Sequence, residues 1–364
     1  MVYLPYVFVK SELYNTVAGW QNHFHPILCA VPPYVLEKIA ANGTPKQRDW
    51  ALHNLQLASQ FRGERQALGG MAMATATPTG TKRRTIYDAR HKQTLPGLLV
   101  RSEGAAASKD VAVNEAYDGS GATYDFYSKV FNRNSIDGRG MRLDSSVHFG
   151  ANYDNAFWNG RQMVYGDGDG QLFNRFTVSL DVIGHELTHG VTANEADLDY
   201  QDEPGALNES MSDVFGSMVK QYMRNQTVAQ ADWLIGQGLL TKNVKGVALR
   251  SMKAPGTAYD DPVLGRDPQP DHMKKLYKGQ QDNGGVHINS GIPNKAFYLA
   301  AAALSPQGHS WDKAGPIWYE TLCNRLRPNS GFADCAKLTI DVAKQLQGAA
   351  AATAVRKAWR AVGL

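Results

Sequence analysis

The pentapeptide His185-Glu-Leu-Thr-His189 is the first stretch of this sequence in which residue type and spacing together could do chemistry. On a helix, residues four apart share a face, so both imidazoles could ligate one zinc ion while Glu186 sits beside the metal without binding it. The same pattern arises by chance on solvated or core helices, so a third ligand has to decide.

Glu209, twenty residues beyond His189, lies within Gly205-Ala-Leu-Asn-Glu-Ser-Met-Ser-Asp213, where it and Asp213 again share a helical face. Glu209 is the expected third ligand. Asp213 is expected to accept the distal N–H of His189, fixing that ring's tautomer and raising its basicity, with Asn208 beside it as further support behind the ligands. Two histidines and a glutamate leave the fourth position of a tetrahedral zinc to water, as in catalytic sites; structural sites are closed by four protein ligands. Zinc would lower the pKa of that water, Glu186 would take its proton as it attacks a carbonyl, and the same carboxyl would pass the proton to a leaving amine. The resulting oxyanion needs donors besides the metal.

Such a ligand set needs two helices, and after Phe176 the pattern does turn mainly helical, ending in Ala-rich segments from Asp334 to Leu364. From Thr85 to Gly170 the chain reads as strands and turns. Leu143, Ser145, Val147 and Phe149 alternate with polar residues, and Asp-Gly pairs begin at Asp118, Asp137, Asp167 and Asp169. Asp167-Gly-Asp-Gly lacks the later acidic positions of an EF-hand and reads as a tight hairpin turn. Further upstream, Val31-Pro-Pro-Tyr34 opens a short helix that Gly43 closes. Thr44 caps a second, with Pro45 in its first position and Trp50, Leu52, Leu55, Ala58 and Phe61 at roughly helical spacing as far as Gly69-Gly70. Met71 to Thr81, small and aperiodic, reads as an exposed linker.

With 364 residues, 43% of them hydrophobic and 20% charged, the chain is long enough for two packed domains and is not compositionally disordered. A formal charge of +4, with no basic cluster denser than Lys82-Arg83-Arg84, argues against a nucleic-acid partner. No apolar run approaches the roughly 18–20 residues of a membrane helix. The apolar patch within Met1 to Gly19 has no basic residue before it and is interrupted by Lys10 and Glu12. No secretory signal peptide is read, and secretion or release by a route without one, or a cytoplasmic precursor, is expected. Three cysteines make no disulfide framework, although Cys323 and Cys335 flank a short loop and are either a pair or two buried thiols.

The ligand motifs, taken with Asp282-Asn-Gly-Gly-Val-His287, Asn155-Ala-Phe-Trp-Asn159, Met163-Val-Tyr-Gly-Asp-Gly-Asp-Gly170 and Leu249-Arg-Ser-Met252, resemble the thermolysin family in that family's order, from about Arg84 to Leu364. The short proline-containing proregion looks most like the protealysin branch. The resemblance implies an α+β, two-lobed fold: an N-terminal extension and helical proregion over residues 1–76, a strand-rich N-terminal lobe with the zinc helix over 77–200, and a helical C-terminal lobe over 201–364. It also implies that Tyr200 and His287 donate to the oxyanion, that Asp282 orients His287, and that Arg250 holds a substrate carbonyl. Asn155 and the backbone of Ala156 would align the peptide, while Phe173, Phe176, Val182 and Leu249 would line an apolar pocket for the residue after the scissile bond. The expected activity is endoproteolysis before bulky apolar residues by a monomer with one catalytic zinc.

The chain departs from that family where a double calcium site would lie. Asp181 and Asp232 remain, but Lys220, Leu234 and Gln237 stand where acids are expected, so no double calcium site is predicted. The proline-stiffened Val31 to Tyr34 could lie in the cleft as part of an inhibitory proregion, with a cut between Gly69 and Lys82 releasing the enzyme. Cys29, just upstream, is a minor candidate zinc ligand and otherwise a buried thiol. Two rival readings fare worse. A non-catalytic binding protein is disfavoured because no catalytic position is substituted, and an aminopeptidase would need an anionic group for the substrate's amino terminus that no motif supplies.

Overall fold

The computed structural model describes residues 28–68 and 80–364. The expected linker, apart from Gly80 and Thr81, falls outside the described residues. Strand β1 (Leu28–Cys29) leads into α1 (Pro33–Asn42) and α2 (Pro45–Leu68). Local chemistry sets their ends: Pro33 sits in the first turn, where a missing N–H costs no helical bond, and the Gly43 N–H closes α1 on the Ile39 carbonyl at 2.8 Å. Thr44 and Gln47 cap α2 reciprocally, Thr44 N–H to Gln47 Oε1 at 2.9 Å and Gln47 N–H to Thr44 Oγ1 at 3.3 Å.

Strands β2 (Arg84–Asp88) and β3 (Leu98–Ser102) are followed by α3 (Val111–Phe131) and then β4 (Leu143–Val147), β5 (Ala156–Trp158) and β6 (Gln162–Tyr165). One six-stranded sheet runs in the order β1-β5-β6-β4-β2-β3, with β2–β4 and β4–β6 parallel and the other neighbours antiparallel. The helix α3 corrects the reading of this region as strands and turns. Asp110 caps it, accepting from Ala112 N–H at 2.8 Å. The Asp118-Gly119 pair is a packing device inside it, because a Cβ at Gly119 would collide with Ile183 Cδ1. Nor is Asp167-Gly-Asp-Gly a hairpin turn. Asp169 Oδ1 accepts the N–H groups of Gln171, Leu172 and Phe173 at 2.9, 2.7 and 3.0 Å, and the segment becomes a loop running from β6 to a 3-10 turn at Phe176–Val178.

Beyond that turn lie α4 (Leu180–Asn194) and α5 (Asp202–Met223), followed by two small antiparallel pairs, β7 (Leu234–Ile235) with β8 (Arg250–Ser251) and β9 (Asp260–Asp261) with β10 (Gly265–Arg266). The chain ends in α6 (Gln281–Asn289), α7 (Gly291–Leu304), α8 (Ala314–Asn324), α9 (Phe332–Gln347) and α10 (Ala349–Ala361). The fold is α+β with a strand-containing N-terminal lobe and a helical C-terminal lobe. The positions that matter most for the site are where α4 meets α5. A Cβ at Gly216 would collide with the Asp181 carbonyl oxygen and stand 2.8 Å from His185 N, so only glycine lets the two helices approach this closely.

Cys323 and Cys335 form no disulfide. Cys335 points into the core from α9 and Cys323 faces Tyr319 on α8, and burial pushes each thiol up to about 12. Among the described residues, no helix is long and apolar enough to cross a membrane.

Candidate active site

Helices α4 and α5 bring the expected ligands together. His185, His189 and Glu209 are at most 1% exposed, and their ligand atoms lie within 4.8 Å of one another. His185 Nε2 is 3.0 Å from His189 Nε2 and 3.4 Å from Glu209 Oε2; His189 Nε2 is 3.5 Å from Glu209 Oε1. A tetrahedral zinc with bonds of about 2.0–2.1 Å holds its ligand atoms about 3.3 Å apart, so these residues fit that ion. Against the burial that would raise it, His287 and His189 hold the Glu209 carboxyl well below the usual range, which keeps it an anion. Burial holds His189 neutral, down to about 3. In His185 burial is outweighed by Asp213 and Glu209, which raise it to about 10. A metal entering here must displace that proton.

The residues behind the ligands are paired differently from the sequence expectation. Asp213 Oδ1 accepts from His185 Nδ1 at 2.8 Å, whereas His189 Nδ1 meets Asn208 Oδ1 at 2.8 Å and Ser212 Oγ at 2.9 Å. The reason is the antiparallel crossing: going forward along α5 from Asn208 to Asp213 means going backward along α4 from His189 to His185. Asp213 also takes both arms of Arg250, Nε at 2.9 Å and Nη2 at 2.8 Å, and the amide of Asn294 at 2.8 Å. Sequence reasoning missed Ser212 and Asn294. Nothing in their local spacing marks them, since their partners lie on other elements.

Glu186 is fully buried and outside the ligand group. Its Oε2 accepts the Trp158 N–H of β5 at 3.1 Å, its Oε1 has no hydrogen-bond partner among the described residues, and burial pushes the carboxyl up to about 8. Across the triad, His287 Nε2 lies 3.2 Å from Tyr200 Oη and 3.5 Å from Glu209 Oε2, and Tyr200 Oη contacts Glu209. Burial, reinforced by Glu209, raises the Tyr200 phenol well above its ordinary range, so it remains a donor. Asp282 grips His287 twice, through Nδ1 at 2.6 Å and the backbone N–H at 2.8 Å. It reaches that position because Asp282, Asn283, Gly284 and Gly285 make a left-handed turn, with φ of 56, 51, 81 and 83°.

The residues expected to align a peptide are engaged by the chain's own N-terminal segment. Strand β1 pairs antiparallel with β5, Ala30 N–H donates to the Ala156 carbonyl at 3.0 Å, and Val31 and Asn155 exchange bonds of 2.8 and 3.1 Å. Arg250 Nη1 donates to the Ala30 carbonyl at 3.3 Å. Cys29, Val31 and Pro33 share a cavity of about 230 Å³ with Asn155, Tyr200, Asp282 and His287. Cys29 is buried, lines this cavity, and is not in the group formed by His185, His189 and Glu209. Phe173, Phe176, Val182 and Leu249 are all buried in one apolar cluster, the two phenyl rings 5.9 Å apart.

Comparison with known proteins agrees with this geometry. The thermolysin metallopeptidase catalytic domain matches residues 67–193, and the alpha-helical domain of the same family matches residues 196–364. The chain belongs to the thermolysin metallopeptidase family. Within it, the chain is 53% identical over 346 residues to the extracellular metalloprotease of Pectobacterium carotovorum subsp. carotovorum, covering 93% of this chain and 97% of that one. It is 47% identical to protease PrtS of Photorhabdus sp. (strain Az29), covering 92% and 91%. The precursor of protealysin, a metalloproteinase from Serratia proteamaculans, superposes with a TM-score of 0.85 at 52% identity over 92% of this chain and 99% of that one. The protein is thus a thermolysin-family metalloprotease near protealysin. One feature of this family member is a buried lysine. Lys220 Nζ lies 2.7 Å from Asp181 Oδ2, 2.8 Å from Asp232 Oδ1 and 2.7 Å from the Leu234 carbonyl.

Proposed function

We propose that this metalloprotease is made as an inactive precursor of a zinc endopeptidase, with Glu186 as its base, that cuts before bulky apolar residues. The observation that carries the reading is the placement of Glu186. Its carboxylate is anchored on one oxygen by β5, open on the other, and beside three residues that fit zinc.

Zinc bound by His185, His189 and Glu209 would supply a Lewis acid that lowers the pKa of water and polarises the scissile carbonyl. Glu186 takes the proton of the attacking water and returns it to the leaving amine. Tyr200 and His287, the latter raised in pKa because Asp282 and Glu209 outweigh its burial, donate to the developing oxyanion. Asn155, the Ala156 carbonyl and Arg250 hold an extended peptide antiparallel to β5, and the apolar cluster around Phe173 and Leu249 takes the following side chain.

In this reading residues 1–76 form the extension and proregion, 77–200 the N-terminal lobe with the zinc helix, and 201–364 the C-terminal lobe. The occupation of Asn155, Ala156 and Arg250 by residues 30–31 supports an inhibitory proregion. The extracellular relative supports release from the cell, and polypeptides are the substrates. Lys220, placed between two carboxylates, supports the absence of a double calcium site. Casein digestion with and without a chelator, followed by mass spectrometry of the products, tests the reading. Chelator-sensitive internal cuts before Leu, Phe or Ile are expected; cuts confined to chain ends, or none, would refute it.

A further inference from the structure

The carboxylate of Asp213 is where metal side and substrate side meet, and its orientation has to be imposed from outside. The second side-chain torsion of aspartate is soft, so the plane of a buried carboxylate is set by its donors. Asp213 is fully buried and uses all four of its acceptor positions: His185 Nδ1 and Arg250 Nη2 on Oδ1, Arg250 Nε and Asn294 Nδ2 on Oδ2. Three of these donors belong to groups that the carboxylate is itself meant to hold, the metal-side imidazole and the Arg250 fork that reaches the Ala30 carbonyl. Asn294, on α7, is the fourth, and it has no part in ligand or substrate contact.

The position of Asn294 makes a packing role a poor explanation. It is fully buried on a helix whose other buried positions include Ile292, Ala296, Phe297 and Ala300, so an apolar side chain would suit this position. Its Oδ1 has no hydrogen-bond partner among the described residues, while its Nδ2 is spent on Asp213. A carboxylate can only accept, so the amide nitrogen must face it. A half-satisfied amide in an apolar core lowers stability, and residues that break the local rule in this way mark functional constraints.

We propose that Asn294 is a positioning residue, the outside anchor that fixes the Asp213 carboxylate and through it both His185 and Arg250. This rests on the zinc-endopeptidase reading of the site. Removing the anchor leaves Oδ2 with one donor and lets the carboxylate swing with the guanidinium, carrying Oδ1 away from His185 Nδ1. Residues behind metal ligands typically change metal affinity by about 10–100-fold when lost.

The test uses the full chain and the variants Asn294→Leu, which keeps shape and removes the donor, and Asn294→Asp, which puts an acceptor against an acceptor. Zinc affinity is measured by competition with a chromophoric chelator, and ligand geometry by the visible absorption of the cobalt(II)-loaded chain. Both variants should hold zinc about 10-fold or more weakly and shift the cobalt bands, while Asn294→Leu melts close to or above wild type. Should Asn294→Asp not fold, Asn294→Leu decides alone. Wild-type zinc affinity and cobalt spectrum in Asn294→Leu, whatever its melting temperature, would overturn the inference while leaving the protease reading intact. A wild-type chain that retains no zinc would overturn both.

Discussion

His185 Nδ1 lies 2.8 Å from Asp213 Oδ1, and the same buried carboxylate pairs with both arms of Arg250, so a histidine of the zinc-fitting cluster and a buried arginine share one anion. Asp213→Asn keeps the shape and removes the charge. It should leave the buried Arg250 uncompensated at a cost of about 3–5 kcal/mol and weaken zinc binding about 10–100-fold. Urea unfolding and chelator competition read the two effects, and unchanged zinc affinity would contradict the shared role.

Lys220 sits 2.7 Å from Asp181 and 2.8 Å from Asp232 with its ammonium buried, and those two acids outweigh burial to raise its pKa. The wild-type melting temperature should therefore hardly respond to calcium, because a ligand stabilises only a fold that binds it. Lys220→Met strands the two carboxylates and should cost about 3–5 kcal/mol. A wild-type rise of many degrees in calcium, abolished by Asp181→Asn, would show that the lysine has been misread.

His148 joins the N-terminal cap of α3 to the loop after β6: its Nδ1 lies 2.9 Å from Asp167 and its Nε2 2.7 Å from Asp110, which together outweigh burial and raise it to about 9. The ordinary value is about 6.5, so its stabilising charge is fully present below that pH and lost as pH rises through about 9. His148 has φ of 54°, a conformation asparagine tolerates. The stability gap between wild type and His148→Asn should shrink by about 1–2 kcal/mol between about pH 6 and pH 9.5, after allowing for the ring's partial exposure. Urea titrations at both pH values measure it. A gap independent of pH counts against this clamp.

Ala30 N–H donates to the Ala156 carbonyl, and the neighbouring Val31 is bonded twice to Asn155. Ala30→Pro removes the donor and leaves a buried carbonyl unpaired, at about 1–3 kcal/mol, or roughly 5–150-fold in how firmly the segment is held. The intact precursor, checked by mass, should gain activity on a small peptide in proportion. If uncut Ala30→Pro and uncut wild type were equally active, residues 30–31 would not be the inhibitory contact.

How much of this was legible in sequence follows from how local each signal is. The prolines before Tyr34, Gly43, and Thr44 with Pro45 mark α1 and α2 in sequence because helix ends are set by neighbours in the chain. The ligands were legible because helix periodicity fixes His185 against His189. The partner of Asp213 was not, since it depends on the direction in which α4 and α5 cross, which no single helix encodes. Gly119 was misread as a turn because a packing glycine inside α3 looks the same in sequence as a turn glycine; only the approach of Ile183 tells them apart. Asn294 carried no signal at all, since its single informative contact is to a residue on another helix.

In the proposed reaction Glu186 is the base and not a ligand, since one oxygen is tied to Trp158 N–H and the grouped metal-ligating residues are His185, His189 and Glu209. The direct measurement is the zinc content and turnover of Glu186→Gln, expressed as the full chain and processed by added wild-type enzyme, with that enzyme then removed. The variant should retain one zinc per chain and lose activity by at least roughly 10²–10⁴-fold. Near-wild-type turnover in a zinc-loaded Glu186→Gln protein would show that Glu186 is not the base.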